Sequence, residues 1–204
     1  MLSCWKSFVN IQRALLRFSR KGNIIMLYFL HLKGEIMIAA VVAADENFAI
    51  GNRGDMLVSI RGDLKMFREL TTGHTVVMGR KTFDALPFGP LPKRRNIVIS
   101  SKAQDGMQEA EHKNGRYTLC SLEKAKEMLS SCGDETIFVI GGGVIYRELL
   151  PWCQRIYLTK IHKAFEKADT YFPNIDAMDA WRMTSCSDVQ CENGLEYQFC
   201  IYEK

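Results

Sequence analysis

The stretch T-I-F-V-I-G-G-G-V-I-Y-R-E-L-L at 136–150 decides how this chain is read. Thr136–Ile140 is a short apolar run, the signature of a strand buried on both faces of a sheet. It passes directly into Gly141-Gly142-Gly143, and Val144–Leu150 then reads as a helix. Three glycines at a strand–helix junction let backbone approach a ligand with no Cβ in the way. The triplet is not a G-x-G-x-x-G fingerprint, because Gly143 is followed by Val144-Ile145-Tyr146. The same rhythm repeats on either side. Met37–Ala44, Thr75–Met78, Asn96–Ser100, Tyr117–Cys120 and Arg155–Ile161 read as strands. Helices are predicted over Arg61–Leu70, with Leu64, Phe67 and Leu70 on its apolar face, over Arg80–Leu86, and from a Ser121 N-cap through Leu129. Trp181–Asp188 and Leu195–Tyr202 flank Cys191-Glu192-Asn193-Gly194, whose Asn-Gly suits a hairpin. The expected fold is a single α/β domain: a mostly parallel central sheet with flanking helices and a C-terminal antiparallel hairpin. Ligands bind such sheets at the carboxyl ends of the strands.

Composition narrows the function classes. With 204 residues, 47% apolar and 25% charged, the chain can bury a substantial core and is not low-complexity. The net charge of +4 invites a nucleic-acid reading, but its distribution argues against one. Residues 1–36 hold six bases and one acid, whereas 37–204 hold 21 bases and 22 acids. The domain itself is near neutral, so neither nucleic acid nor membrane is expected as a partner. The apolar stretch Ile24–Leu30 is far below the roughly 20 residues of a membrane-spanning helix. Seven scattered cysteines, without C-x-x-C or zinc-finger spacing, predict reduced thiols, no metal site and a cytoplasmic setting.

Three groups of residues could carry chemistry. Asp63 sits near the start of a helix, after the apolar loop Met56-Leu57-Val58-Ser59-Ile60. It reads either as an acid favoured by the helix dipole or as the anion of a greasy pocket that grips a flat heterocycle. Gly79-Arg80-Lys81-Thr82 and Ser100-Ser101-Lys102 lie at strand ends with free donors and cations, as a phosphate requires. The glycine triplet is the third. The histidines at 31, 74, 112 and 162 stand near no nucleophile or acid motif and read as loop or surface residues. Catalysis therefore calls for a cofactor and positioning.

In order along the chain, these pieces resemble the dihydrofolate reductase family over Met37–Lys204. The resemblance rests on A-I-G-N at 49–52, D-x-x-x-F at 63–67, V-V-M-G-R-K-T at 76–82, L-P-x-R-x-N-I-V-I-S-S at 91–101, V-I-G-G-G at 139–143, Y-L-T at 157–159 and D-T-Y-F-P at 169–173. It implies NADPH-dependent reduction of 7,8-dihydrofolate, with hydride delivered to pterin C6 and a proton to N5, by a monomer acting on a small molecule. It implies that Asp63 binds the 2-amino group and N3 of the pterin and that Thr159 bonds that acid. Val41 and Ile140 would offer carbonyls to the pterin, Ile50, Phe67, Leu86 and Leu91 would line the site, and Arg94 would pair with the glutamate α-carboxylate, a fork that Lys fills poorly. The cofactor shell implied is Ala43, Ile50, Gly51, Met56, Gly79, Arg80, Lys81, Thr82, Ser100, Ser101, Lys102, Gly142, Gly143, Val144 and Ile145, with Arg80 and Ser100 on the 2′-phosphate. A cis Gly141–Gly142 peptide and a closing loop at Ala49–Ile60 complete the implied picture.

The chain departs from the family pattern at Leu57-Val58, where Pro-Trp is usual, and Val58 supplies no indole N–H near the acid. Val144 replaces an arginine frequent after the triplet. Two rival readings compete with it, a riboflavin-pathway reductase domain and a folate- or nucleotide-binding protein without catalysis. The first needs neither Asp63 with Phe67 nor Arg94; the second is separated by turnover. Residues 1–36 lie outside the resemblance. They read as an upstream start chosen in error, Lys33-Gly34-Glu35 being encodable by a purine-rich ribosome-binding run, or as a targeting segment with Ile11, Leu15 and Phe18 at helical spacing.

Overall fold

The computed structural model describes residues 37–103, 106–131, 133 and 135–204. The readings of 1–36 as a false start or targeting segment, and His31, lie outside the described residues, as do Cys4 and Cys132.

The apolar runs form the centre of one large sheet. Its strands are β1 (Ile38–Ala44), β4 (Thr75–Gly79), β5 (Arg95–Ile99), β7 (Gly115–Cys120), β8 (Ile137–Val139) and β9 (Arg155–Ile161). These six lie in the order β9-β1-β8-β4-β5-β7 and every pairing among them is parallel. Their carboxyl ends therefore share one edge. Val76, Val77, Ile97, Val98, Phe138 and Ile156 are fully buried, as expected of strands covered on both faces.

Antiparallel pairs finish both sides. β13 (Leu195–Glu203) pairs with β9 and with β11 (Arg182–Cys186), and β12 (Gln190–Glu192) turns back onto β13. Asn193 and Gly194 form the two-residue turn, with φ of 52° and 77°. This is the left-handed pair that a tight hairpin demands. At the other edge β6 (Met107–His112) pairs with β7. β6 was not expected: M-Q-E-A-E-H offers no apolar run, because an edge strand needs none.

Helices α1 (Arg61–Thr71), α2 (Arg80–Asp84), α3 (Leu122–Ser130) and α4 (Gly143–Leu149) link the strands. Ser121 caps α3 as predicted, its Oγ accepting from the Lys124 amide at 3.2 Å. The expected apolar face of α1 needs correction. Met66 and Leu70 are buried, while Leu64 is 43% exposed. At 100° per residue, Leu64 stands about 200° from Met66. The thiols need one too. Cys120 and Cys153 are free and buried, but Cys186 and Cys200 form a disulfide. They are direct partners in the β11–β13 register, with Cα atoms 4.1 Å apart, a proximity that linear spacing does not reveal. Among the described residues no helix is long and apolar enough to cross a membrane, and no His/Cys/Asp/Glu group could hold a metal ion.

A second, small sheet lies beside the first. β2 (Ala49–Asn52) pairs with β3 (Asp55–Met56) and with β10 (Thr170–Tyr171). The expected closing loop at 49–60 is thus partly a ribbon.

Candidate active site

The shared carboxyl edge gathers the predicted residues from separate parts of the chain. β1 brings Val41 and Ala43, β4 ends at Gly79, Ser100-Ser101-Lys102 follow β5, Ile140 follows β8, and Thr159 lies on β9 opposite Ala43. α1 carries Asp63 and Phe67 one turn apart and Asp63 reaches Thr159 at this edge, while the ribbon carries Ile50, Gly51 and Met56. Leu86, Leu91 and Arg94 lie between α2 and β5.

The Asp63–Thr159 pairing is the clearest meeting. The Thr159 hydroxyl donates to Asp63 Oδ1 at 2.6 Å across 96 residues of sequence. Thr159 is wholly buried. Burial pushes the Asp63 carboxyl above the usual aspartate range, opposed by the hydrogen bond from Thr159. No lysine or arginine pairs with Asp63 among the described residues. A shielded carboxylate of this kind seeks a cationic or multiply donating partner.

Beside it, the Tyr146 hydroxyl donates to the Val41 carbonyl at 2.6 Å. Burial, with Asp63 nearby, pushes that phenol far up, so it remains a donor. The Val41 oxygen keeps a second lone pair for a ligand. Tyr146 was not among the predicted residues, although it lies in the opening stretch; its apolar neighbours make it read as helix core.

Arg94 is fixed for a different purpose. Its Nη1 donates to Thr71 Oγ1 at 2.9 Å, its Nε to the Pro92 carbonyl at 3.1 Å, and it lies 5.8 Å from the Phe67 ring centroid. Burial and the neighbouring Arg68 push the guanidinium down from its usual range. It has no carboxylate partner among the described residues. A half-buried cation in this state favours an external anion.

The phosphate-like end is looser. Arg80, Lys81, Ser101 and Lys102 are exposed, and Arg80 Nε donates to Asp84 at 2.9 Å along its own helix. The Gly141–Gly142 peptide is cis, and the Gly79 amide donates to the Gly141 carbonyl at 2.7 Å. A Cβ on Gly142 would lie 3.1 Å from Thr82 Oγ1, and one on Gly143 would lie 2.9 Å from Thr170 Cγ2. The triplet is therefore a backbone cradle that side chains would fill. Ile145 is buried, whereas Val144 and Met56 are 64% and 61% exposed. Leu57 and Val58 are half-buried.

The ribbon is tied by a residue that sequence reasoning did not place in the site. Asp169 Oδ2 accepts from the Arg53 amide at 2.7 Å, and the Asp169 amide donates to the Gly51 carbonyl at 3.1 Å. The Arg53 amide, followed by the Thr170 hydroxyl that donates to Oδ1, holds the Asp169 carboxyl below the usual carboxylate range. Its motif, D-T-Y-F-P at 169–173, was the available signal.

Comparison with known proteins agrees with this geometry. A family model described as dihydrofolate reductase matches residues 37–204. The chain is similar to the dihydrofolate reductase of Bacillus subtilis (strain 168), 38% identical over 171 residues covering 82% of this chain and 95% of that one. It is likewise similar to the Drosophila melanogaster dihydrofolate reductase, 38% identical over 181 residues covering 80% and 96%. A solved structure of the Enterococcus faecalis dihydrofolate reductase, complexed with NADP(H) and RAB-propyl, superposes with a TM-score of 0.68 at 30% identity, covering 82% of this chain and 95% of that one.

Proposed function

The chain belongs to the dihydrofolate reductase family, and from that premise we propose how its own residues divide the work. It reduces 7,8-dihydrofolate to 5,6,7,8-tetrahydrofolate with NADPH, feeding one-carbon metabolism. The observation that carries the assignment of roles is the shielded Asp63 carboxylate bonded by Thr159 at the carboxyl edge of the sheet. A ring that offers two adjacent N–H donors satisfies this carboxylate bidentately.

NADPH fits the residues on its side of the edge. Gly142 and Gly143 leave room for backbone to meet the nicotinamide and pyrophosphate; Thr82, Lys81, Ser100, Ser101 and Lys102 supply hydroxyls and cations for phosphates; Arg80 and Ser100 take the 2′-phosphate, which favours NADPH over NADH. The bound cofactor supplies the hydride that reaches pterin C6. Asp63 orients the pterin and, as an anion beside the ring, favours its protonation at N5 by water, acting through hydrogen bonds rather than as the direct donor. Thr159 holds Oδ1 and so fixes the carboxylate for the bidentate grip on the ring. Val41 and Ile140 offer carbonyls to the exocyclic amine, with Tyr146 fixing the first of these. Phe67, Leu86, Leu91 and Ile50 enclose the aromatic part and exclude water. Arg94 pairs with the α-carboxylate of the glutamate. Ala43, Gly51, Gly79, Met56, Val144 and Ile145 complete the walls near the cofactor, and the Ala49–Ile60 loop closes over them while tied to Asp169.

We assign the activity to residues 37–204 of one chain acting as a monomer, and its setting to the cytoplasm. The free, buried thiols Cys120 and Cys153 support that setting, while the Cys186–Cys200 bond stands against it. The direct test is the loss of NADPH absorbance on adding dihydrofolate. Turnover is expected; binding of both ligands without turnover would overturn the catalytic reading.

A further inference from the structure

The start of α1 poses a backbone problem that the family motifs do not address. The first amides of any helix lack intrahelical acceptors. The residue before α1 is Ile60, in extended conformation, whose side chain accepts nothing. The two leading amides are satisfied from elsewhere. Arg61 N donates to Glu192 Oε1 at 2.9 Å and Gly62 N to Glu192 Oε2 at 3.3 Å. One carboxylate, 130 residues downstream, thus caps both, and the next residue along is Asp63.

The hairpin that carries Glu192 is pressed against this helix start. A Cβ on Gly62 would lie 2.2 Å from the Tyr197 hydroxyl oxygen, and Tyr197 is buried. That hydroxyl in turn donates to Gln190 Oε1 at 3.3 Å. Glycine at 62 is what permits the approach. Glu192 itself is held in register opposite Leu195 by the Asn193-Gly194 turn. The strand that follows, β13, pairs Phe199 with Thr159 and Tyr197 with Ile161. One strand thereby sets both the hydroxyl that grips the Asp63 carboxylate and the carboxylate that caps the two amides leading up to Asp63.

The geometry points to Glu192 as a positioning residue for the reduction: by capping the amides of Arg61 and Gly62 it sets where Asp63 stands against the pterin. This rests on the reading of Asp63 given above. Glu192 has an electrostatic part as well. Tyr146 from α4 and Tyr197 from β13 feel the charge of Asp63, and Tyr197 feels Glu192 and Cys191 of β12 as well, while Arg61 leads the same helix turn. Free leading amides would favour the Asp63 anion. Glu192 occupies them and adds a negative charge, which works the other way.

The test uses the full chain with Glu192→Ala, Glu192→Gln and Asp63→Asn in parallel. Glu192→Ala is expected to slow single-turnover hydride transfer by about tenfold, the order of loss for a slightly misplaced reacting group. It should raise KM for dihydrofolate, leave the Kd for NADPH within about twofold, and move the midpoint of the rate–pH profile to lower pH. Glu192→Gln keeps a carbonyl oxygen as acceptor and is expected to recover most of the rate while retaining the lowered midpoint. Unchanged hydride transfer and midpoint in Glu192→Ala would overturn the proposal, as would rate and NADPH affinity falling in equal proportion. If Asp63→Asn is slow while Glu192→Ala is normal, only the Glu192 assignment fails. If Asp63→Asn is itself normal, the reading of Asp63 fails first.

Discussion

The two ends of the ligand edge are built on opposite principles. At the Asp63 end a single shielded charge is held by a buried hydroxyl, with a buried phenol fixing the neighbouring carbonyl. At the Arg80–Lys102 end the charges are exposed and several. Removing one charge from the first end leaves nothing to replace it. At the second end the others share the load, and salt screens each of them. The lesson is that similar counts of polar residues carry very different weight, according to burial and redundancy.

The sharpest way to break this contrast is Asp63→Asn. Hydride transfer at neutral pH is expected to fall by about 100-fold or more, within the range for losing a group that promotes proton transfer, with the circular dichroism spectrum retained. The same variant has a stability signature. Burial raises the folded-state value for Asp63 above its ordinary 3.8. Between those two values the native state binds more protons than the unfolded chain, so Asp63 lowers stability as pH rises through that window. The Asn variant escapes this cost. It is expected to melt above the parent at neutral pH, by about 2–4 °C for each kcal/mol relieved, and the two curves should converge below pH 3.8.

Thr159→Val tests the same end from its other partner. Hydrogen bonds to charged groups contribute about 1.5–3 kcal/mol, so a loss of roughly 10- to 100-fold in kcat/KM for dihydrofolate is expected from steady-state rates. Arg94→Lys keeps the charge and loses the fork. KM for dihydrofolate should rise by about tenfold with kcat nearly unchanged. The smallest effect belongs to the exposed end. Arg80→Ala is expected to raise KM for NADPH only about threefold at low salt, in line with roughly 0.2–1 kcal/mol for an exposed pair. Its preference over NADH should narrow, and the difference should shrink as salt is added. An Arg80 effect as large as that of Asp63 would erase the contrast.

What the sequence made legible follows the same division. Buried parallel strands announce themselves as apolar runs, and the Asp63–Thr159 partnership is implied by the family resemblance rather than by spacing. β6 was invisible because M-Q-E-A-E-H at a sheet edge needs no apolar face. Leu64 reads as inward because apolar residues at 64, 67 and 70 mimic one face, whereas the buried pair is Met66 and Leu70. The Cys186–Cys200 bond depends on a cross-strand register that spacing does not encode. Asp169 and Glu192 were hardest to see: each acts on backbone amides more than 110 residues away, and no residue type marks an amide as waiting for a partner.

The central claim is that the shielded Asp63 carboxylate drives the reduction. Its most direct test is single-turnover hydride transfer from NADPH to dihydrofolate, followed across pH in the parent and in Asp63→Asn. The parent rate should decline as pH rises and the N5 proton becomes harder to supply, while the variant, without the anion that favours that protonation, is slow at neutral pH and begins its decline at lower pH. A variant as fast as the parent at neutral pH, with the same profile, would contradict the account.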